Sequence, residues 1–211
     1  MSKRKSLFAL TLFVSTAFIL YVLYANFVHD PGASGFLSHK TGLKRPIRVP
    51  VWLSVMKIHV VFACIAMLSG IVNFSSRIRV QRRTFHRING YVYLISVLIV
   101  VITSGYMAPY ATGGKAVGIA FNALNIIWPC MTVAALVKIK KKQADRHRKW
   151  MIRSYAFCFT NLFIHLIASV FHRGLGLAYP ASYTIGVYSA IPLLFVLAEA
   201  VIRIPSAESK A

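Results

Sequence analysis

Residues 147–172, HRKWMIRSYAFCFTNLFIHLIASVFH, decide how this chain folds. From Trp150 to Phe171 the stretch is mostly apolar and long enough to cross a bilayer, which takes about 20 residues of helix. Within it His147, Met151, Ser154, Cys158, Asn161, His165, Ser169 and His172 recur at steps of three and four. At about 100° per residue these positions trace one helical face, with His147 and His165 pointing the same way about 27 Å apart. Hydrocarbon satisfies no polar group, so the ridge is expected to face the interior of a helical bundle. Ile152, Phe157, Phe159, Leu162, Phe163, Leu166, Ile167 and Val170 are left for lipid or apolar neighbours.

Working outward, five further runs of the same kind occur. The six are placed at about 7–28, 51–74, 88–108, 116–137, 150–171 and 182–202. With 57% hydrophobic residues and a mean hydropathy of +0.64, the chain is an all-α, polytopic membrane bundle of six transmembrane helices, one domain over residues 1–211. The first run follows Lys3-Arg4-Lys5 but exceeds the roughly 7 to 15 apolar residues of a secretory signal, so it reads as an uncleaved anchor. Residues 29–50 read as an irregular outer loop, and 75–87 and 138–149 as basic cytoplasmic loops. With the amino terminus inside, 17 Lys and Arg fall on the cytoplasmic side and 6 outside, which puts both termini in the cytoplasm. Lys57 and Arg153 remain inside helices near their ends, where long stems reach the interface.

There are 25 Lys and Arg against 4 acids, a formal net charge of +21. The expected counterpart is the lipid bilayer with its anionic inner leaflet, which attracts each nearby cation by about 1 kcal/mol. Nucleic acid is excluded, because the basic residues are dispersed among short loops without a reader motif. Cys64, Cys130 and Cys158 lie in apolar runs without CxxC spacing and read as packing residues. No phosphate-binding glycine loop, HExxH or GxSxG occurs, and no local ligand cluster suits zinc. Glu199, the one acid inside an apolar run, is expected to pair with Arg203 four residues on.

The candidate chemistry lies in the histidines. An ionisable ring within a membrane helix is costly without a partner and so marks a functional site. On the second helix His59, Ala63, Ala66, Gly70 and Asn73 step by four and three, giving a groove of small residues with a polar group at each end. His59 and His165 each fall about 10 Å below the outer interface. At the cytoplasmic side Thr84-Phe85-His86-Arg87 and Asp145-Arg146-His147-Arg148 repeat one design, a capping residue and then His-Arg opening an apolar helix. Two imidazoles from separate helices can bracket a haem iron. His59 with His165 would then hold an outer haem b and His86 with His147 an inner one, Arg87 and Arg148 serving its propionates. A quinone site on the same residues is the related alternative, and either implies a membrane redox partner. The competing reading is a non-catalytic membrane protein, a small-molecule carrier or partner subunit, whose histidines only bond helices together. His29, His39 and His172 read as wetted boundary residues, and Asn122 and Asn125 as lining the interior or serving the carbonyl freed by Pro129.

The strings His86-Arg87-Ile88-Asn89-Gly90-Tyr91-Val92-Tyr93 and His147-Arg148-Lys149-Trp150-Met151-Ile152-Arg153-Ser154-Tyr155 resemble a family of bacterial predicted membrane proteins, domain of unknown function 2306 (DUF2306). The likeness spans the second to the fifth helix. It implies a bacterial inner-membrane protein and assigns no reaction. Where such sequences commonly carry an arginine this chain has His165, so the outer pair is not implied by the resemblance.

Overall fold

The computed structural model describes residues 3–40 and 46–204. Lys44, Arg45 and Lys210, all counted in the charge asymmetry, and the acid Glu208 lie outside the described residues. Each apolar run forms a helix: α1 (Lys5–His29), α2 (Val49–Asn73), α3 (Arg83–Tyr110), α4 (Gly114–Lys140), α5 (Ala144–Gly174) and α6 (Tyr179–Arg203). All six are long and apolar enough to span a membrane, and no strand occurs among the described residues. An even number of crossings returns the chain to its starting side. The arginine- and lysine-rich connections α2–α3 and α4–α5 therefore share one end of the bundle, the basic end, with the start of α1 and the close of α6. The α1–α2 connection lies at the other, the loop end.

Sequence chemistry sets the helix limits. Pro50 and Pro180 stand in the first turns of α2 and α6, where a missing N–H costs nothing. The expected caps are displaced, however. Helix α3 begins at Arg83 and α5 at Ala144, neither with a side-chain cap, so Thr84 and Asp145 lie inside their first turns. Asp145 instead pairs with Lys149 at 2.8 Å, one turn on.

Helix α2 packs along α3, α4 along the first half of α5, and α6 along both halves of α5. Three apolar clusters result, one of them Ala33, Trp52 and Met56, between the α1–α2 connection and α2. The largest, toward the basic end, contains Ala66, Tyr93, Val97, Leu124, Trp128, Tyr155 and Leu194; the second, toward the loop end, contains Val117, Ile164, Tyr183 and Val187. Two glycines inside helices permit close approaches between helices. A Cβ on Gly70 would stand 2.3 Å from the Tyr155 ring, and one on Gly186 would stand 2.7 Å from the Ile164 carbonyl oxygen.

The loop between α1 and α2 is less irregular than its composition suggests. Asp30 accepts hydrogen bonds from the Ser34 N–H at 3.0 Å, the Ser34 hydroxyl at 2.9 Å and the Gly35 N–H at 2.9 Å, starting the one-turn helix Ser34–Ser38. The two backbone donors hold its carboxyl below the usual carboxylate range. Lys40 folds back over α2, its ammonium 4.5 Å from the centre of the Phe36 ring and 5.0 Å from that of Trp52, and donates to the Tyr110 carbonyl. Burial there pushes its amine down to about 8.

Candidate functional site

Helix α5 is not one uniform helix. It runs as α-helix over Ala144–Ala156, tightens to a 3-10 turn at Phe157–Phe159, resumes over Thr160–Ser169 and closes in a π turn, Val170–Gly174. Three residues at 3.0 per turn instead of 3.6 advance the helix by about 60°. The polar ridge is therefore split. Before the 3-10 turn Ser154 and Tyr155 are buried; beyond it Ile164 and Ala168 face inward while Asn161, His165, Ser169 and His172 are exposed. The expectation that the whole ridge faces the interior is corrected for this second half.

In the first half, polar side chains tie all six helices together. The Tyr93 hydroxyl of α3 lies 2.7 Å from the Ser154 hydroxyl, which lies 2.7 Å from the Thr132 hydroxyl of α4. Tyr155 donates to the Met67 carbonyl of α2 at 3.1 Å, and its oxygen is 3.2 Å from the Ser15 hydroxyl of α1. Asn89 donates to the Ser69 carbonyl at 2.8 Å and to the Asn73 side chain at 2.9 Å. Arg153 donates to Glu199 of α6 through Nε at 2.5 Å and a second nitrogen at 3.3 Å, and stacks over Trp150. Glu199 thus takes its bidentate partner from α5, not from Arg203, and Arg153 is held in the bundle as well as near its end. The strings Asn89-Gly90-Tyr91-Val92-Tyr93 and Arg153-Ser154-Tyr155 meet here as the polar lock of the fold. The histidine pattern does not reveal this lock. Its signal was Ser and Tyr at the buried steps of α5 opposite Gly70.

The histidines distribute over both ends. The His59 ring is half-buried between α2 and α3, with Nδ1 at 3.2 Å from the Val100 carbonyl and 3.0 Å from the Thr103 hydroxyl. His165 lies exposed with its ring edge-on to Tyr183 of α6, 6.0 Å between centres. These two rings contact different helices. Asn122 is also exposed, and the Asn125 amide nitrogen is enclosed without a partner among the described residues.

At the basic end the two His-Arg pairs occupy equivalent helix positions. The His86 N–H donates to the Arg82 carbonyl and the His147 N–H to the Gln143 carbonyl, both at 2.9 Å, each closing the first turn of its helix. His147 Nδ1 lies 2.8 Å from the Ala135 carbonyl of α4, a contact that fixes a proton on Nδ1, so that in the neutral ring Nε2 carries the lone pair. His86 lies within electrostatic range of both His147 and Arg79, and its Nδ1 is enclosed with no hydrogen-bond partner among the described residues. Arg87 is exposed and Arg148 half-buried beside them. The arrangement offers a fixed acceptor, an unsatisfied imidazole and adjacent guanidinium groups, which suits a ligand with a polar or anionic edge.

No curated protein and no solved structure matches the chain. The model of one family does, over residues 56–202, a stretch that holds Gly70, Tyr93, Thr132, Tyr155, Glu199 and both His-Arg pairs. The chain belongs to the DUF2306 family of predicted membrane proteins.

Proposed function

We propose that this multi-pass membrane protein is a redox-linked component that holds its cofactor at the basic end, through His86 and His147. The observation that carries this reading is the enclosed, unpartnered Nδ1 of His86 within electrostatic range of a second imidazole, His147, whose own Nδ1 is bonded to the Ala135 carbonyl. A buried polar nitrogen without a partner costs about 1–3 kcal/mol, which a ligand can recover.

Haem b agrees with the donor chemistry of this pair. Two imidazoles from α3 and α5 would hold it, with Arg87 and Arg148 at its propionates, and when bound it supplies reversible one-electron exchange. The Ala135 carbonyl would keep the His147 ring oriented and raise its basicity as a ligand. A quinone would use one imidazole as a hydrogen-bond donor and the same arginines. The reading rests on this pair alone, since His59 and His165 engage separate neighbours. It places the protein in the bacterial cytoplasmic membrane with the basic end inside, supported by the 17 to 6 distribution of Lys and Arg.

Absorption of the full-length protein, expressed with ample haem, tests the proposal. A Soret band that shifts on reduction and is lost in His86→Ala and in His147→Ala is expected. A colourless protein ends the haem reading, and quinone-dependent quenching of tryptophan fluorescence, abolished by His86→Ala, then decides for quinone. A second reading follows from the bonds of His59 and His147 to neighbouring helices: a non-catalytic carrier or partner subunit with structural histidines. Neither colour nor quenching would favour it.

A further inference from the structure

The connection between α2 and α3 contains a feature that the histidine site does not use. After α2 the chain forms the short helix Ser76–Gln81, breaks at Arg82, whose backbone leaves the helical region at φ −130° and ψ 60°, and enters α3. The break leaves a cleft of about 450 Å³ lined by Arg77, Ile78, Gln81, Arg82 and Phe85. Arg77 donates through Nε to the Gln81 side chain at 3.3 Å, a bond between two residues that line the cleft. Ile78 and Phe85 give the cleft an apolar wall.

We propose that this cleft binds the phosphate group of an anionic membrane lipid. Arginine forks match phosphate oxygens in pairs, and two of them converge on one opening. Among the described residues almost no acid is to spare for them. Residues 75–90 contain none, Asp145 is engaged by Lys149, Glu199 by Arg153, and Asp30 stands at the opposite end. Val80, Phe85 and Ile88 are exposed beside the arginines. A soluble phosphate would leave them in water, whereas a lipid brings acyl chains that cover them. The site would fix the α2–α3 connection, and with it the start of α3, against the inner leaflet.

The test is native mass spectrometry of the delipidated full-length protein titrated with phosphatidylglycerol or with phosphatidylcholine. One phosphatidylglycerol should bind in preference to phosphatidylcholine, and R77Q/R82Q should weaken it about tenfold, equivalent to about 1.4 kcal/mol. K140Q/K141Q, which removes two charges of the same end outside the cleft, should change it little. R77K/R82K, keeping charge without the planar fork, should fall between. Equal losses in R77Q/R82Q and K140Q/K141Q would reduce the effect to diffuse attraction and overturn the site. Displacement of the lipid by inorganic phosphate, with phosphate binding that depends on Arg77 and Arg82, would overturn the lipid in favour of a soluble phosphate compound. A thermal melt of each variant in the same detergent separates loss of binding from loss of fold.

Discussion

The two halves of α5 have the same polar spacing and opposite environments. In the half before Phe157, Ser154 is 0% exposed and joins hydroxyls from α3 and α4, and Tyr155 reaches α1 and α2. In the half after Phe159, Asn161 and His165 are exposed and the buried positions are Ile164 and Ala168. One tightened turn, closed by the Thr160 hydroxyl on the Phe157 carbonyl at 2.7 Å, separates them. A polar residue in a membrane helix is therefore not an interior residue by virtue of its spacing. The phase of the helix, summed through every local irregularity, decides which way it points.

The strongest way to break this contrast is at the glycine that receives the first half. Gly70→Ala forces a methyl group into the Tyr155 ring, which its bonds to Ser15 and Met67 prevent from moving aside, and should cost about 3 kcal/mol. A thermal melt in detergent micelles measures it. Ser154→Ala removes the hydroxyl that links Tyr93 to Thr132 in a buried site, leaving Thr132 its bond to the Trp128 carbonyl, and the two lost bonds should cost about 2 kcal/mol by the same melt. Tyr155→Phe keeps the ring and loses only its two oxygen contacts, so about 1 kcal/mol is expected.

A smaller effect belongs to the loop end and is read through pH. The amine of Lys40 lies near 8 in the folded protein against 10.5 in the unfolded chain, so on raising the pH the folded state releases this proton first. Stability should rise as pH goes from about 8 toward 10.5, and Lys40→Met should remove that rise from melts recorded across the interval. The smallest change sharpens the comparison from the other side. His165→Leu, beyond the tightened turn, should shift stability by no more than about 0.5 kcal/mol. A loss in His165→Leu as large as that in Ser154→Ala would mean that both halves of α5 line one interior.

Much of the fold was legible because its cause is local. Six runs of hydrocarbon each demand a helix, since backbone groups in lipid find partners only within their own segment, and the six observed spans contain the six predicted ones apart from a residue at the end of α2. The groove of α2 was equally legible: Ala66 and Gly70 are buried, and His59 and Asn73 bond across to α3. Of the candidate site, the equivalence of His86 and His147 could be read from the repeated His-Arg at two helix starts. The partner of Glu199 could not, because a sequence shows the neighbour at i+4 and not the arginine of another helix 46 residues away.

The order of residues by itself determined that this protein lives in a bilayer, how many times it crosses, and which residues had to be small or polar, because hydropathy and helical period act within one segment. Only the tertiary structure decided which polar residues became partners and which face of α5 turned inward. Those outcomes depend on a 60° change of phase and on which helices approach within hydrogen-bonding distance, quantities set jointly by all six helices.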